Sequence, residues 1–443
     1  MGFKKVFNKK GSVTVFLASI LLTMIMASMV FVHAARSVSC SAYADAVLEL
    51  AGRSALAEFD RRLKDEYGIF AFYGRDDIVK AGIKFYASAS FDKKLPGEIK
   101  WGKMAVTDLF RLKLESLSAD LSEFSLMDAN VFEKQIEAYM NFMIAQKGFE
   151  YARDLWMSPE KEEKSGDSTE RTLKSQAEIK SLPSGGNASG FLDILAIAGG
   201  GLPQLDSILD KSALLVKVNE YILSHFKYGV GGDKEKDTFF KNEVEYILYG
   251  RMGDIDNMSK FRSDFVLLRT VLNEIHIASC PDKRTAVLNM SKAFRHLAPA
   301  AAVVIATAWS IAEAENDARL LFDGKKVALY KTDDNWALDL ENAVRAFGIY
   351  DDDDDELTDV TASPKTRSGY ITPSSDSGLA YADYLRIFLY FEKRETKLLR
   401  VMDLIQLNLR GSYYDEFLIK DHYTGFRLDA IVSGKMYSYE QKY

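Results

Sequence analysis

The chain has 443 residues, of which 47% are hydrophobic and 27% charged, and its formal net charge is −7. This length and composition predict a folded protein of two or three domains and exclude an intrinsically disordered chain. Every charged side chain before Asp45 is basic, so the rest of the chain is more acidic than the average. Such a body lacks the basic face that nucleic-acid binding needs, and we expect no nucleic-acid partner.

The chain begins with a basic leader, residues 1–11, whose charges are Lys4, Lys5, Lys9 and Lys10. Residues 12–32 then carry no charged side chain, and as a helix they would be about 30 Å long, the thickness of a bilayer's hydrocarbon core. A secretory signal has a shorter apolar region of about 7–15 residues, so we predict a retained single-pass anchor. The positive-inside rule then places the leader in the cytoplasm and the main body outside the cell.

A cleaved signal sequence is the alternative for this segment. The residues up to Ala34 and up to Ala44 resemble weak signal-peptidase sites, and cleavage after either one stays open. A second apolar stretch, 297–312, contains Pro299 and is shorter than the about 20 strongly apolar residues that a span requires. We predict that this second stretch is a buried core helix.

We predict that the first helix continues beyond the membrane and covers residues 12–66. Many of its outer residues are alanine or serine, which would let another helix or a sheet approach closely. Basic residues at 61–64 suit the end of a helix, and Gly68 is a plausible stop. Apolar or small side chains recur at helical spacing in the outer part and define a predicted apolar face: Val38, Ala42, Ala46, Leu50, Leu56, Phe59 and Leu63.

The first part of the ectodomain is predicted at residues 67–157. It contains an aromatic block at 67–74, a helix over 75–90, one or two strands within 104–127 and an amphipathic helix over 130–157. A polar linker at 158–190 has almost no large apolar side chains. A helical domain follows at 191–349, with helices predicted across 205–226, 237–249, 257–278, 284–297 and 300–322, the third of them capped by Asp256 or Asn257.

The last two segments are a loop and a helix with a hairpin. Residues 350–378 form an acidic and polar loop, and residues 379–443 contain a long helix over 379–410 and a hairpin that turns at Ser433-Gly434. The hairpin can pair with the strands of 107–127. The predicted fold is therefore α+β and predominantly helical: a long N-terminal transmembrane helix continues into an ectodomain with a small antiparallel sheet and a large helical insertion.

The sequence offers little chemistry. Its five histidines are scattered, and Cys40 and Cys280 are too far apart to indicate a disulfide framework, so we expect neither a zinc site nor a disulfide scaffold. The acidic run Asp351–Glu356 is the best candidate for cation binding, but it lacks the alternating ligands of a calcium loop, and we interpret it as a solvated loop. We expect no catalytic residue, cofactor, metal ligand or small-molecule substrate.

Residues 10–16, KGSVTVF, followed by an alanine-rich helix, resemble the leader of type IV pilin-like proteins. More narrowly, they resemble the pseudopilins of tight-adherence (Tad) pilus systems, of the TadE and TadG kind. The resemblance implies that a membrane peptidase cuts between Gly11 and Ser12, and that the partners are other pilus or secretion-system proteins. Pilin-type helices usually carry glutamate five residues after the cut, and this chain has Phe16 there.

The body of the chain resembles an uncharacterised bacterial membrane-anchored family associated with such systems, and this resemblance implies no activity. It rests on the stretches 66–70, 245–248, 308–317, 324–327, 384–386 and 400–406.

These observations together predict a structural, non-enzymatic, single-pass membrane protein that is a pilin-like component or accessory of a Tad-type pilus or secretion system. Its expected partners are the lipid bilayer and other proteins of that system. The first alternative is a membrane-anchored extracellular binding or sensor module, with residues 205–330 as the receptor. A remote alternative is an anchored hydrolase.

Overall fold

The structure is a computed structural model that describes residues 9–91, 112–157, 172–188, 213–232, 238–346, 371–373 and 378–443. It is mostly helical, with small antiparallel sheets and a long apolar N-terminal helix, as the sequence predicts. The described helices are α1 (Lys9–Leu56), α2 (Arg61–Tyr67), α3 (Asp76–Phe91), α4 (Ala129–Met157), α5 (Gln176–Ser181), α6 (Ala213–His225), α7 (Glu243–Tyr249), α8 (Asp254–Ser279), α9 (Pro281–Ser291), α10 (Ala298–Phe322), α11 (Leu340–Ala346), α12 (Tyr381–Phe391) and α13 (Arg394–Ser412). The described strands are β1 (Phe72–Tyr73), β2 (Leu114–Asp120), β3 (His422–Tyr423), β4 (Gly425–Val432) and β5 (Lys435–Lys442).

The chain divides into two compact units. The first unit comprises Met1–Asp60, Phe70–Ser125 and Asp421–Tyr443, and the second comprises Arg61–Ile69 and Leu126–Lys420. In chain order, most of the second unit is inserted between β2 and the C-terminal strands of the first unit. This is the large helical insertion that the sequence predicts.

The first unit contains a three-stranded antiparallel sheet in the order β2-β4-β5. Leu117 of β2 faces Ala430 of β4, so the predicted pairing of the C-terminal hairpin with the earlier strand is confirmed. The turn of the hairpin has positive φ at both Ser433 (49°) and Gly434 (79°). Two positive φ angles match the twist of the flanking strands, which is why a serine–glycine pair serves at this turn.

The outer part of α1 packs into the core of the first unit. Ala44, Val47, Leu48 and Ala51 are buried at the i, i+3, i+4, i+7 spacing of one helix face. A Cβ atom at Gly52 would lie 3.0 Å from the Gln441 side chain, so small residues do allow the sheet to approach this helix closely.

The predicted apolar face of α1 is wrong over its first part. Val38 and Leu50 are 71% and 65% exposed, and Ala42 and Ala46 are exposed as well. The sheet instead packs against the side that carries Ala44, Val47, Leu48 and Ala51, which combines large apolar side chains with small residues that permit close packing.

The first helix also ends earlier than predicted, at Leu56. Residues 57–60 form a turn in which the Asp60 amide donates to the carbonyl of Ala71 (2.8 Å) instead of continuing the helix. The Phe59 ring lies edge-on to Phe70, with 5.3 Å between ring centroids. The hydrogen bond to Ala71 and the packing of the two aromatic rings therefore stabilise a turn here in place of a further helical turn.

The second unit is helical. Its helix α10 contains the second apolar stretch, and Ala301, Ile305, Ala308 and Trp309 are buried on it, which confirms the predicted core helix. The predicted helix over 379–410 is interrupted at Glu392 and Lys393, both extended, between α12 and α13.

Of two helix starts in the second unit, one differs from the prediction and one agrees with it. The helix α8 begins at Asp254 after an N-cap at Gly253, not after Asp256 or Asn257, because Asn257 turns its side chain back to bond Arg251 and Gly253. The helix α9 begins with Pro281 in its first turn, as its sequence indicates.

Several predictions fall outside the described residues. They concern Lys4 and Lys5 of the leader, residues 158–171 of the predicted linker, and the acidic run Asp351–Glu356. The rest of the predicted linker is described to residue 188 and contains α5, with Leu173 and Leu182 buried.

Candidate functional site

The first candidate is the inner part of α1. Every residue from Val13 to Ser39 is exposed, including large apolar side chains such as Phe31 at 75%. The helix is long and apolar enough to cross a membrane, and no residue of its most apolar window is buried. The segment Pro281–Phe322 passes the same test of length and composition, but 44% of its window is buried. The segment at α1 is therefore compatible with a membrane anchor or a signal sequence.

The polar side chains of this segment bond within the helix. The hydroxyls of Ser19, Thr23 and Ser28 each donate to a carbonyl three or four residues earlier, at 2.8 Å. Such bonds satisfy polar groups without water, which a hydrocarbon environment requires. The predicted processing site, Gly11 and Ser12, lies in the first turn of α1, after Lys9 and Lys10.

The second candidate lies in the second unit, where polar side chains are buried around α7. Arg400 of α13 donates to the carbonyls of Ile247 (2.9 Å) and Leu248 (2.7 Å) near the end of α7. Asp403 accepts a hydrogen bond from the hydroxyl of Tyr246 (2.9 Å). These side chains satisfy the backbone and each other, so they fix the packing of α7 against α13.

Two carboxyl groups of this network have pKa values above their ordinary range. Glu245 accepts from the hydroxyl of Tyr381 (2.6 Å) and the amide of Gly229 (2.9 Å), and burial raises its pKa to about 7. Burial also raises the pKa of Asp403 to about 6, although its hydrogen bonds act in the opposite direction. Desolvation outweighs hydrogen bonding at both positions.

A second buried network joins α8, α10 and the residues after α10. Arg269 donates to Asp317 (3.0 Å), and Lys331 lies 2.7 Å from both Asp317 and Glu313. All four side chains are buried, and the two positive charges balance the two negative ones. Burial raises the pKa of Glu313, whereas the adjacent Lys331 lowers it.

This network fixes the loop of residues 331–338, here called the clamped loop. Besides Lys331, Glu313 accepts from the amides of Ala337 (2.9 Å) and Leu338 (2.9 Å). Lys331 donates to the carbonyl of Asn335 (2.8 Å) as well. One buried carboxylate and one buried amine thus hold both ends of the loop against α10, which orders the side chains that the loop presents.

The clamped loop presents Asp333 to the end of α8. His276 and Cys280 lie one helical turn apart there, and the carboxylate of Asp333 faces both of them. Asp333 Oδ1 is 3.6 Å from His276 Nε2 and 3.7 Å from Cys280 Sγ, and Asp333 Oδ2 is 3.8 Å from the same sulfur. We call these three residues the His–Cys–Asp cluster.

One cation borders the cluster. Lys283 Nζ lies 3.3 Å from Asp333 Oδ1 and also 4.4 Å above the ring centre of Trp336 and 5.1 Å from that of Trp309. Its charge therefore has two kinds of partner, a carboxylate and a pair of aromatic faces.

The acidity of the cluster follows from these neighbours. Burial and then Lys283 lower the pKa of His276, so its imidazole is neutral at neutral pH. The hydrogen bond and charge of Lys283 lower the pKa of Asp333, which stays ionised. Among the residues that the structure describes, the buried His276 Nε2 atom has no hydrogen-bond partner.

The contacts of the cluster differ from those of a cysteine–histidine–aspartate catalytic triad. In such a triad the carboxylate bonds one ring nitrogen and the nucleophile approaches the other. Here the carboxylate of Asp333 lies beside Nε2 of His276 and also beside the thiol of Cys280. The three groups instead converge on one point, an arrangement typical of ligands around a single ion.

This cluster was not predicted from the sequence. His276 and Cys280 do carry a partial signal, since they lie four residues apart where a predicted helix ends. Asp333 could not be found that way, because it lies 53 residues beyond Cys280 and is brought there by the clamped loop.

The comparisons with known proteins agree with the resemblance of the body to an uncharacterised family. Residues 167–434 match a family of unknown function (DUF5702). The chain belongs to this DUF5702 family. No curated protein and no solved structure matches the chain.

The DUF5702 match contains most of the second unit and part of the first. It includes α5 through α13 and strands β3 and β4, and so both buried networks and the His–Cys–Asp cluster. The apolar helix α1 lies before the matched residues, so its role must be argued from this chain alone.

Proposed function

We propose that this DUF5702 chain is a structural, single-pass membrane protein, a pilin-like component or accessory of a Tad-type pilus or secretion system. One observation carries the proposal: α1 runs without a break from an exposed segment, Val13–Ser39, whose first 20 residues are uncharged, into the core of the first unit at Ala44. The helix therefore links a membrane-length segment directly to a folded body.

The exposed segment supports insertion into lipid. Large apolar side chains along Val13–Val38 would remain in water in the isolated chain, and burial of apolar surface contributes about 25 cal/mol per Å². A bilayer removes that surface from water, and the internal hydroxyl bonds of Ser19, Thr23 and Ser28 leave no side-chain polar group of these three residues unsatisfied.

The packing of α1 supports retention of the helix over cleavage after Ala44. Ala44 is fully buried in the core of the first unit, and Ser41 accepts a hydrogen bond from Lys435 (2.7 Å). Cleavage after Ala44 would remove both residues from the fold. Cleavage after Ala34 would leave these contacts intact, so this second alternative needs an experiment.

The leader supports the orientation and the link to pilus systems. Lys4, Lys5, Lys9 and Lys10 precede the apolar segment, which favours a cytoplasmic N-terminus and an extracellular body. Gly11 and Ser12 stand where a pilin-type peptidase would cut. Phe16 stands where a filament subunit would carry glutamate, which favours an accessory role over a place within the filament.

The buried networks support a structural role for the second unit. Polar side chains converge within residues 205–330, as a receptor site would require, but there Arg269 is bonded to Asp317 and Glu245 to Tyr381. These hydrogen bonds join elements of the unit to one another, which supports a role in its fold.

Labelling of single cysteines in intact cells tests the orientation. The Cys280→Ser variant keeps only Cys40, which follows the apolar segment and is partly exposed. We expect a membrane-impermeant maleimide to label it in intact cells. A matched variant with Cys40→Ser, Cys280→Ser and Ser12→Cys should be labelled only after permeabilisation, and the reverse pattern would contradict the proposed orientation.

Co-purification tests the proposed partners. The chain would be solubilised from membranes of its own host in mild detergent, and the proteins that accompany it identified by mass spectrometry. We expect components of a Tad-type apparatus. Their absence, together with enrichment of an unrelated assembly, would contradict the pilus assignment while leaving the membrane anchor in place.

A further inference from the structure

We propose that His276, Cys280 and Asp333 bind a zinc ion in the second unit of this chain. This inference is independent of the proposed pilus role, because the cluster lies within the DUF5702 match and away from the apolar helix α1 in the sequence.

The distances fit a zinc centre. Zinc–ligand bonds of about 2.0–2.3 Å in a tetrahedron place neighbouring ligand atoms about 3.4–3.6 Å apart. The cluster has 3.6 Å from nitrogen to oxygen and 3.7 Å from sulfur to oxygen, and its three donor atoms all lie within 4.8 Å of one another. A bound ion would have to draw the three atoms, now up to 4.8 Å apart, to bonding distance.

The donor set selects the kind of metal. A thiolate and an imidazole favour zinc and its transition-metal neighbours, whereas calcium and magnesium take oxygen ligands almost exclusively. Three protein ligands leave the fourth tetrahedral position vacant. Because the Asp333 side chain is 66% exposed, water reaches that position.

The position of His276 favours a bound cation. Within the described part of the chain its buried Nε2 has no hydrogen-bond partner, and Asp333 Oδ1 lies 3.6 Å from it. An imidazole nitrogen that faces a carboxylate and a thiol is stabilised when a cation lies between them.

The cluster is also held in place before any ion binds. His276 lies in the last turn of α8 and Cys280 is the residue that caps its end, with its amide bonded to the carbonyl of His276 (2.8 Å). Asp333 is carried by the clamped loop, whose ends Glu313 and Lys331 fix. Ordering the ligands in advance lowers the conformational entropy lost on binding.

The neighbouring lysine modulates the site without blocking it. Lys283 contacts Asp333 Oδ1, and the ring faces of Trp309 and Trp336 stabilise its charge on the other side. The amine can remain over the rings while the carboxylate binds the ion. Its positive charge should nevertheless weaken metal binding through repulsion.

Cobalt substitution tests the proposal directly. The full chain, purified in detergent micelles and stripped with a chelator, would be titrated with Co²⁺, and zinc would then be added as competitor. We expect one equivalent of Co²⁺, a thiolate-to-cobalt charge-transfer band in the near ultraviolet, and loss of that band on addition of Zn²⁺. Absence of the band in the wild-type chain would overturn the proposal.

The two cysteines of the chain provide a matched pair of variants. Cys280→Ser should abolish the charge-transfer band, and Cys40→Ser should leave it unchanged. His276→Gln and Asp333→Asn should each weaken zinc binding more than about tenfold, since even outer-shell changes reach that size. A band that survives Cys280→Ser would overturn the assignment.

A variant with increased zinc affinity is informative, because misfolding can lower the affinity but does not raise it. Lys283→Met keeps the apolar stem over the two tryptophans and removes the charge, so zinc affinity should rise severalfold. A fall in affinity would contradict the placement of the ion beside Asp333.

Discussion

At the scale of single residues, Glu313 orders the clamped loop of the second unit. It accepts hydrogen bonds from Lys331 and from two backbone amides of the clamped loop, all within a buried site. We expect Glu313→Gln to lower the free energy of unfolding by about 3–5 kcal/mol, because the buried positive charges of Arg269 and Lys331 then have only Asp317 to balance them.

A neighbouring residue serves as the control for this change. Glu315 pairs with Arg262 on the partly exposed side of the same helix, α10, so Glu315→Gln should cost about 1 kcal/mol or less. Chemical denaturation of the three proteins measures both effects. Equal losses for the two variants would show that the buried network does not fix the loop.

The raised pKa of Glu245 predicts that the stability of the folded protein depends on pH. Its pKa rises from an ordinary value near 4.5 to about 7 in the folded protein, because burial disfavours the charge. Between these values the unfolded chain loses the proton while the folded chain keeps it. Stability should therefore fall as the pH rises from about 5 to about 7.5, with Asp403 contributing in the same direction.

Glu245→Gln tests this dependence. The amide keeps an acceptor for Tyr381 and Gly229 but does not ionise, so the melting temperature should vary less over the same pH range. Melting curves of both proteins at about pH 5 and about pH 7.5 measure the difference. An identical slope in the two proteins would mean that Glu245 does not titrate as its burial implies.

At the scale of elements, the end of α2 depends on a glycine. Gly68 has φ +68°, and a Cβ atom there would lie 2.0 Å from the ring of Tyr139. We expect Gly68→Ala to cost more than about 1 kcal/mol of stability. Gly82, within α3, has nothing within 4 Å of a built Cβ, and Gly82→Ala should stabilise by up to about 1 kcal/mol. Thermal unfolding compares the two, and similar losses would contradict this account.

The buried face of α1 makes a second prediction at this scale. Leu48 is fully buried in the first unit, whereas Leu50 is 65% exposed. Leu48→Ala should cost about 2–5 kcal/mol, and Leu50→Ala about 0.5 kcal/mol or less. The opposite ranking in denaturant unfolding would restore the face that the sequence spacing predicted.

These elements show what sequence patterns can and cannot decide. The alternation of the strands and the Ser433-Gly434 turn sufficed to predict the hairpin, because turn chemistry and alternation act locally. Its pairing with β2 was predicted only as a possibility. The buried face of α1 was mistaken because apolar and small residues recur at helical spacing on more than one side of this helix, and spacing alone does not say which side meets the sheet. The break of the helix after Leu56 depends on an aromatic contact between Phe59 and Phe70, which spacing within one helix does not reveal.

The candidate sites, too, could be predicted from the sequence only in part. The membrane-length segment of α1 could be predicted, since it depends only on composition and length. In the His–Cys–Asp cluster, the spacing of His276 and Cys280 was visible, but Asp333 reaches them only through the contacts of Glu313 and Lys331 with the clamped loop. Contacts between distant segments require the fold.

At the scale of the whole molecule, the chain joins a body that matches a protein family to an apolar helix that lies outside the match. Residues 167–434 belong to DUF5702 and contain both buried networks, whereas α1 precedes that match. The body's acidic balance would keep it away from an anionic membrane surface, while α1 would tie it to the bilayer.

The mature N-terminus tests the central claim, that α1 is retained as an anchor. Intact-mass measurement of the chain isolated from membranes of its own host should give a start at Met1 for an uncut anchor, or at Ser12 for pilin-type processing after Gly11. A chain that starts at Ala35 or Asp45 and is recovered outside the membrane fraction would contradict the account.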